Sequence, residues 1–371
     1  MNPPDLRAAC AQKLLAASAR AATLSAFVGL DGFVDEILHV VDKRESAESF
    51  QRLPTIARLA ERVAAAAGRS ANLELVPQII KLGGNGPIMA NALASLGLKV
   101  TYLGNLGYPN LHPVFRDFAN RAEVHSIAEP GTTDALEFDD GKIMIGKHAS
   151  LKEITWQNIQ ARYGLDKFTA KLNTADLVAF VNWTMLPYMS DLWEAILRDV
   201  CPALTAPRRL MFFDLADPEK RTPKDILHAL DLIGQFGRYF NVILGLNEKE
   251  AMEIAEVCGV KPQCSTQEAL VKTAGRIAAH LRVGTLLIHP VKFALAVTAG
   301  KVSLAQGPYD PRPKVTTGAG DHFNSGFCLG KLLGLDDGLS LLASVGASGY
   351  YVRTAQSPAI ATLADFLNRG W

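Results

Sequence analysis

Thr316-Thr317-Gly318-Ala319-Gly320-Asp321, followed by a helical stretch from His322 to Leu333, is the run best suited to chemistry. Gly318 and Gly320 allow a tight turn free of Cβ atoms, with backbone N–H groups turned one way. The helix behind them adds unpaired N–H groups and the positive end of its dipole. Such a corner attracts anions, phosphate above all. A carboxylate beside a bound phosphate can take a proton from an incoming hydroxyl. Anion hole plus base is the minimal kit for phosphoryl transfer to an alcohol. Read without chemistry, the same run is a Gly-rich helix entry with Asp321 as a first-turn acid.

Three further runs carry similar double readings. In Gly83-Gly84-Asn85-Gly86-Pro87, a Gly-rich turn opens a helix that ends before Gly97, and Asn85 stands where it could bond a ligand hydroxyl or simply cap the helix. In Gly29-Leu30-Asp31-Gly32-Phe33-Val34-Asp35, two carboxylates leave a strand at the end where open α/β sheets bind ligands, although Asp-Gly is also a plain turn. In Asn247-Glu248-Lys249-Glu250, acids open a helix, either as caps or as groups that order a hydrated Mg²⁺.

These four corners need strands and helices to hold them. Apolar runs at 26–30, 99–104, 176–182, 209–214, 239–245 and 285–288 read as buried strands. Helical patterns at 56–66, 191–199, 249–257 and 267–280 lie between them. This alternation predicts a mostly parallel sheet with helices on both faces. Asp134–Phe138 and Lys142–Gly146 break the rhythm. They alternate in polarity about Asp140-Gly141 and predict a half-exposed hairpin. The 371 residues are 49% hydrophobic, enough for one large α/β unit. A net charge of +1 points to neither nucleic acid nor an anionic membrane, so bound phosphate must be held by local geometry. No apolar run is long enough to span a membrane, and Arg7, Lys13 and Arg20 make the N-terminus a leading helix, not a signal sequence. Five scattered cysteines suit a reducing cytoplasm.

Taken in order, the four runs resemble the ribokinase/PfkB family of small-molecule kinases, from about residue 26 onward. Gly83-Gly84-Asn85 with Ala90-Asn91-Ala92-Leu93 is similar to the family's N-terminal signature. Thr317-Gly318-Ala319-Gly320-Asp321 with Phe323, Gly326 and Phe327 is similar to its C-terminal signature, and Asn247 and Glu250 match its Asn-x-x-Glu motif. The resemblance implies a ribokinase-like three-layer α/β sandwich in one domain, residues 1–371, with a small β-sheet lid and often a dimer through that lid. Lid elements are expected within 36–45 and 132–148. The fifty residues between Asp31 and Gly83 are long for this interval and suggest a helical insertion at about 46–70.

It also implies ATP, Mg²⁺ and a sugar-like alcohol as acceptor, phosphorylated by direct in-line transfer. Asp321 would be the base and the backbone of Gly318, Ala319 and Gly320 the anion hole. Asn247, Glu250 and Thr317 would serve the nucleotide, with Glu250 reaching the metal through water. Asp35, Asp31, Gly84 and Asn85 would hold the acceptor. Of the two acids, Asp35 lies closer to the family's spacing.

The chain departs from the family at two motif positions. Val315 stands where a carboxylate usually helps bind a monovalent cation. Ile288-His289-Pro290-Val291-Lys292 replaces a Thr-x-Gly turn, and Pro290 offers no N–H to a nucleotide. The expected function is carbohydrate kinase. A nucleoside kinase, or a sugar-binding regulatory protein with a weakened nucleotide half, are the other readings. No P-loop, dinucleotide fingerprint or zinc spacing is present. His322 reads as an exposed first-turn residue. Tyr350, Tyr351 and Arg353 read equally as an adenine wall or as a surface helix end.

Overall fold

The computed structural model describes residues 4–371. In chain order its strands are β1 (Ser25–Leu30), β2 (Phe33–Arg44), β3 (Phe50–Arg52), β4 (Leu75–Gly83), β5 (Lys99–Gly104), β6 (Glu123–Ser126), β7 (Gly131–Phe138), β8 (Gly141–Lys147), β9 (Leu177–Phe180), β10 (Leu210–Asp214), β11 (Asn241–Asn247), β12 (Thr285–His289), β13 (Phe293–Thr298) and β14 (Lys301–Gln306). Nine of them form the central sheet in the order β14-β13-β12-β11-β10-β9-β1-β5-β6. Neighbours from β12 through to β6 are parallel, whereas β13 runs antiparallel to both β12 and β14.

Alternation along β1 shows why the sheet needs two covering layers. Phe27 belongs to one buried cluster, with Phe168, Phe180 and Trp193. Ala26 and Val28 belong to the other, with Phe323, Phe327 and Leu342. Each fully buried Phe contributes on the order of 1.5–3 kcal/mol, so both helical layers are strongly held. This is the three-layer α/β arrangement expected above. The carboxyl ends of β1, β10 and β11 lie together at one edge of the sheet and deliver Asp31, Asp214 and Asn247 there.

A second sheet springs from that edge. Only Asp31 and Gly32 separate β1 from β2, which pairs with β4 antiparallel and with β7 parallel, while β8 pairs with β7 and β3 with the far end of β2. Phe138 pairs with Gly141, so the hairpin turn is Asp139-Asp140, one residue earlier than the sequence suggests. The helix Ile56–Ala65 packs Leu59 against Leu38, Val40, Leu136 and Phe138 of this small sheet. Thr55 caps that helix by accepting from the Arg58 N–H.

Candidate active site

Gly318 sits at φ +94° as N-cap of the helix Ala319–Leu332. Glycine adopts this left-handed conformation without strain, and a Cβ here would also press on Ile88 and on the Tyr351 hydroxyl, both at 3.1 Å. The Ala319 N–H is spent within the turn, on the Thr316 carbonyl at 3.1 Å. Among the described residues the N–H groups of Gly318 and Gly320 have no acceptor. The free N–H groups of this turn therefore come from the two glycines and not from Ala319, although the expected anion hole drew on all three. Directly behind them the Asp321 carboxylate is buried, and Asn85 Nδ2 donates to Oδ1 at 3.1 Å. Burial, then the charge of Asp214, holds the Asp321 carboxyl well above the usual carboxylate range.

Asn85 is placed by the helix Asn85–Ser95, whose N-cap is Gly84. Pro87 falls at its third position, within the turn whose N–H groups lack helical partners. The N–H of Gly86 donates instead to Asp31 Oδ1 at 2.8 Å. A Cβ on Gly86 would lie 2.4 Å from the Tyr102 hydroxyl and 2.5 Å from Asp31, so only glycine fits. Asn182 Nδ2 occupies the other Asp31 oxygen at 2.7 Å, and the Tyr102 hydroxyl donates to the Asp31 carbonyl. Asp31 is fully buried, and burial pushes its carboxyl up to about 6. It therefore knots β1 to the Asn85 helix beneath the site. Asp35, the third residue of β2, is also buried but lies on the wall of a cavity.

Asp35, Gly84, Asn85, Asn247, Glu250 and Thr317 all line one cavity of about 450 Å³, roofed by Met144, Gly146 and His148 of the small sheet and its exit. A second cavity, of about 350 Å³, lies against the Gly318–Gly320 turn. It is lined by His289, Pro290, Val291, Pro308, Tyr309, Ala319, Gly320 and Val352, and it shares Asn247 with the first. Arg353 shapes its rim by donating to the carbonyls of Pro308 and Tyr309, at 3.0 and 3.1 Å. Tyr351 points away from it, with its hydroxyl on the Thr317 carbonyl. His322 is not exposed as expected but 1% accessible, flat against Tyr351.

Asn247 and Glu250 form a reciprocal capping box. Asn247 Oδ1 accepts from the Glu250 N–H at 2.9 Å, and Glu250 Oε2 accepts from the Asn247 N–H at 2.8 Å. Glu250 Oε1 takes the Asp217 N–H at 3.0 Å, presented by Ala216 and Asp217 at positive φ. The capping reading is thus what the hydrogen bonds show, and both residues also line the first cavity. Nearby, Asp214 accepts from Asn324 Nδ2 at 3.0 Å and the Ala216 N–H at 2.9 Å. Sequence reasoning passed over Asp214, although it too is a carboxylate at a strand's C-terminal end. Burial first raises both carboxyls, aided at Glu250 by the charge of Asp214 and at Asp214 by that of Asp31, and neither Asp214 nor Glu250 has an ion-pair partner among the described residues. A cation is what such a pair lacks. Among the described residues no three His, Cys, Asp or Glu side chains gather as a ready metal cluster. A Mg²⁺ here fits only with water and phosphate oxygens completing its shell.

The chain matches the family model described as prokaryotic ketohexokinase over residues 6–370. A protein named ketohexokinase from Haloferax volcanii is 28% identical over 340 residues, covering 91% of this chain and 89% of that one. Among solved structures, Arabidopsis thaliana ribokinase complexed with ribose and ATP superposes with a TM-score of 0.63 at 15% identity, over 93% of this chain and 98% of the other. Phosphofructokinase-2 from Escherichia coli gives 0.61 at 12% identity, over 93% and 98%. The last two share the ribokinase fold. With a family model spanning nearly every residue, and with the fold and motifs in agreement, this chain belongs to the prokaryotic ketohexokinase family and is a carbohydrate kinase.

Proposed function

We propose that this kinase transfers the γ-phosphoryl group of ATP directly to a hydroxyl of a ketohexose. The observation that carries the reading is the meeting of two cavities at Asn247, with the Gly318–Asp321 corner between them. The nearer cavity bears Asp35, Asn85 and Thr133, groups that bond hydroxyls, and its size suits a monosaccharide. The family match supports a ketohexose in particular. Apolar walls from Val291, Tyr309, Val345 and Val352 suit a nucleobase in the farther cavity.

In this reading Asp321 removes the proton from the attacking hydroxyl, and Asn85 holds that carboxylate in aim. The free N–H groups of Gly318 and Gly320 face the charge that gathers on the transferred group. Asp35 orients the acceptor, and Asp31 positions the Asn85 helix. Asn247, Glu250 and Asp214 would hold Mg²⁺, largely through water; the ion, when bound, neutralises phosphate charge. The exposed Ile79, Ile80, Met144 and Ile145 of β4 and β8 support self-association through the lid.

Initial rates of ATP consumption across ketohexoses, aldohexoses, pentoses, nucleosides and hexose phosphates test the acceptor. Ketohexoses are expected to give the highest kcat/KM, by about tenfold or more, because a site that bonds specific hydroxyls rejects analogues lacking them. A nucleoside or an aldopentose in first place would overturn the assignment.

Glu250→Gln tests the metal reading. It keeps the side chain's length but removes one of the two charges that a cation would balance. The Mg²⁺ concentration for half-maximal rate is expected to rise about tenfold, the worth of one charge-assisted contact. An unchanged Mg²⁺ titration would leave Glu250 as a helix cap alone.

A further inference from the structure

The anion loop is held from behind by a second set of contacts. His322 Nδ1 lies 2.7 Å from the Gly318 carbonyl. A carbonyl only accepts, so Nδ1 carries the proton. Nε2, 2.8 Å from Ser357 Oγ, must then accept from that hydroxyl. Ser357 is itself reached by Asn91 Nδ2 at 3.3 Å. The imidazole stacks on the Tyr351 ring with centroids 3.7 Å apart and planes 13° from parallel. The Tyr351 hydroxyl donates to the Thr317 carbonyl at 3.0 Å.

A peptide unit is planar, so pinning its carbonyl also aims the N–H on its other side. Tyr351 pins the unit that ends in the Gly318 N–H. His322 pins the next one, the Gly318–Ala319 unit, whose carbonyl also accepts the His322 N–H at 3.1 Å and whose own N–H bonds the Thr316 carbonyl. Of the loop's two free donors, on Gly318 and Gly320, the Gly318 N–H is the one these contacts aim. We propose that His322, with Tyr351, is a positioning residue for phosphoryl transfer: it holds the Gly318 carbonyl and stacks the Tyr351 ring, whose hydroxyl holds the Thr317 carbonyl, so that the Gly318 N–H faces the transferred phosphoryl group.

Burial holds the imidazole down at about 4, so it stays neutral and in one tautomer at working pH. His322, Tyr351 and Ser357 border a separate rear cavity of about 840 Å³ whose lining shares no residue with the two cavities in front. Changes at His322 therefore remove no substrate contact directly.

The inference rests on reading Gly318–Asp321 as the transfer site, so Asp321→Asn is assayed alongside. His322→Leu keeps the bulk and deletes both hydrogen bonds. It is expected to lower kcat about 10- to 100-fold, the scale of a small misplacement in a transfer site, with acceptor KM within about twofold of wild type. His322→Asn, whose amide can reach the Gly318 carbonyl, should keep about a third or more of kcat. A kcat for His322→Leu within about twofold of wild type overturns the proposal. So does equal damage from Leu and Asn, which would mark a packing role only. If the Leu variant does not fold, Tyr351→Phe decides, since it deletes only the hydroxyl. A kcat loss of about fivefold or more at unchanged acceptor KM supports the lock, and a loss under about twofold overturns it. If Asp321→Asn remains fully active, the site reading itself fails, whatever the His322 variants do.

Discussion

Asp321→Asn should lower kcat by roughly 10²–10⁴ while leaving the fold and acceptor binding intact, because a positioned base is worth that much. The amide retains an oxygen for the Asn85 bond but carries no charge and cannot take a proton. The pH dependence gives an independent check. Burial and the Asp214 charge raise the Asp321 carboxyl, and only its ionised form can act as base. The rate should therefore climb with pH through a limb lying above the ordinary carboxylate range. Neutralising the neighbour with Asp214→Asn removes a repulsion that favours the protonated form. That limb should move to lower pH, even where the maximal rate also drops. Turnover of Asp321→Asn within about threefold of wild type would rule Asp321 out as the base.

What the sequence disclosed and what it hid follow from physical causes. Gly-rich corners at Gly83–Gly86 and Gly318–Gly320 were legible because their backbones admit little else: a Cβ at Gly86 or Gly318 meets another atom at once. The strands of the parallel sheet were legible as well, since both of their faces are buried and they read as apolar runs. β4 was not. Five of its nine residues are exposed, Ile79 and Ile80 among them, and Pro77 interrupts the run, so neither period-2 nor period-3.6 patterning marks it. β2 was obscured by the Asp-Gly pair at 31–32, which looks like the end of a strand and is the two-residue joint between two sheets. His322 was misread because first-turn residues usually face water. Here a helix from elsewhere in the chain, Asp337–Thr354, brings Tyr351 over it, a contact 29 positions away that no local pattern announces. Asp214 was missed for a different reason. The strand-end rule that singled out Asp31 and Asp35 applies to it equally, but no glycine beside it draws notice.

Asp35→Ala is expected to weaken acceptor binding by about 1.5–3 kcal/mol, or about 10- to 150-fold in KM, the loss of a charged partner bonded to two hydroxyls. Asp35 is buried but lines the cavity, and burial raises its carboxyl against the opposing pull of Lys81 across the strand pair and a bond from Thr133. A sugar hydroxyl pair would supply further hydrogen bonds to this carboxylate. Asp31 differs in kind. Both of its oxygens are already spent on Gly86 and Asn182, and it has no exposed surface. Removing it leaves two buried donors without acceptors, so Asp31→Ala should lower Tm, with any loss of acceptor binding following from displacement of the Asn85 helix. The contrast is measurable as acceptor KM against Tm for the two variants. A shift in KM at constant Tm for Asp35→Ala, and a fall in Tm for Asp31→Ala, assign the first to the sugar and the second to the scaffold. Unchanged acceptor affinity in Asp35→Ala, with affinity abolished at constant Tm in Asp31→Ala, would exchange the two roles.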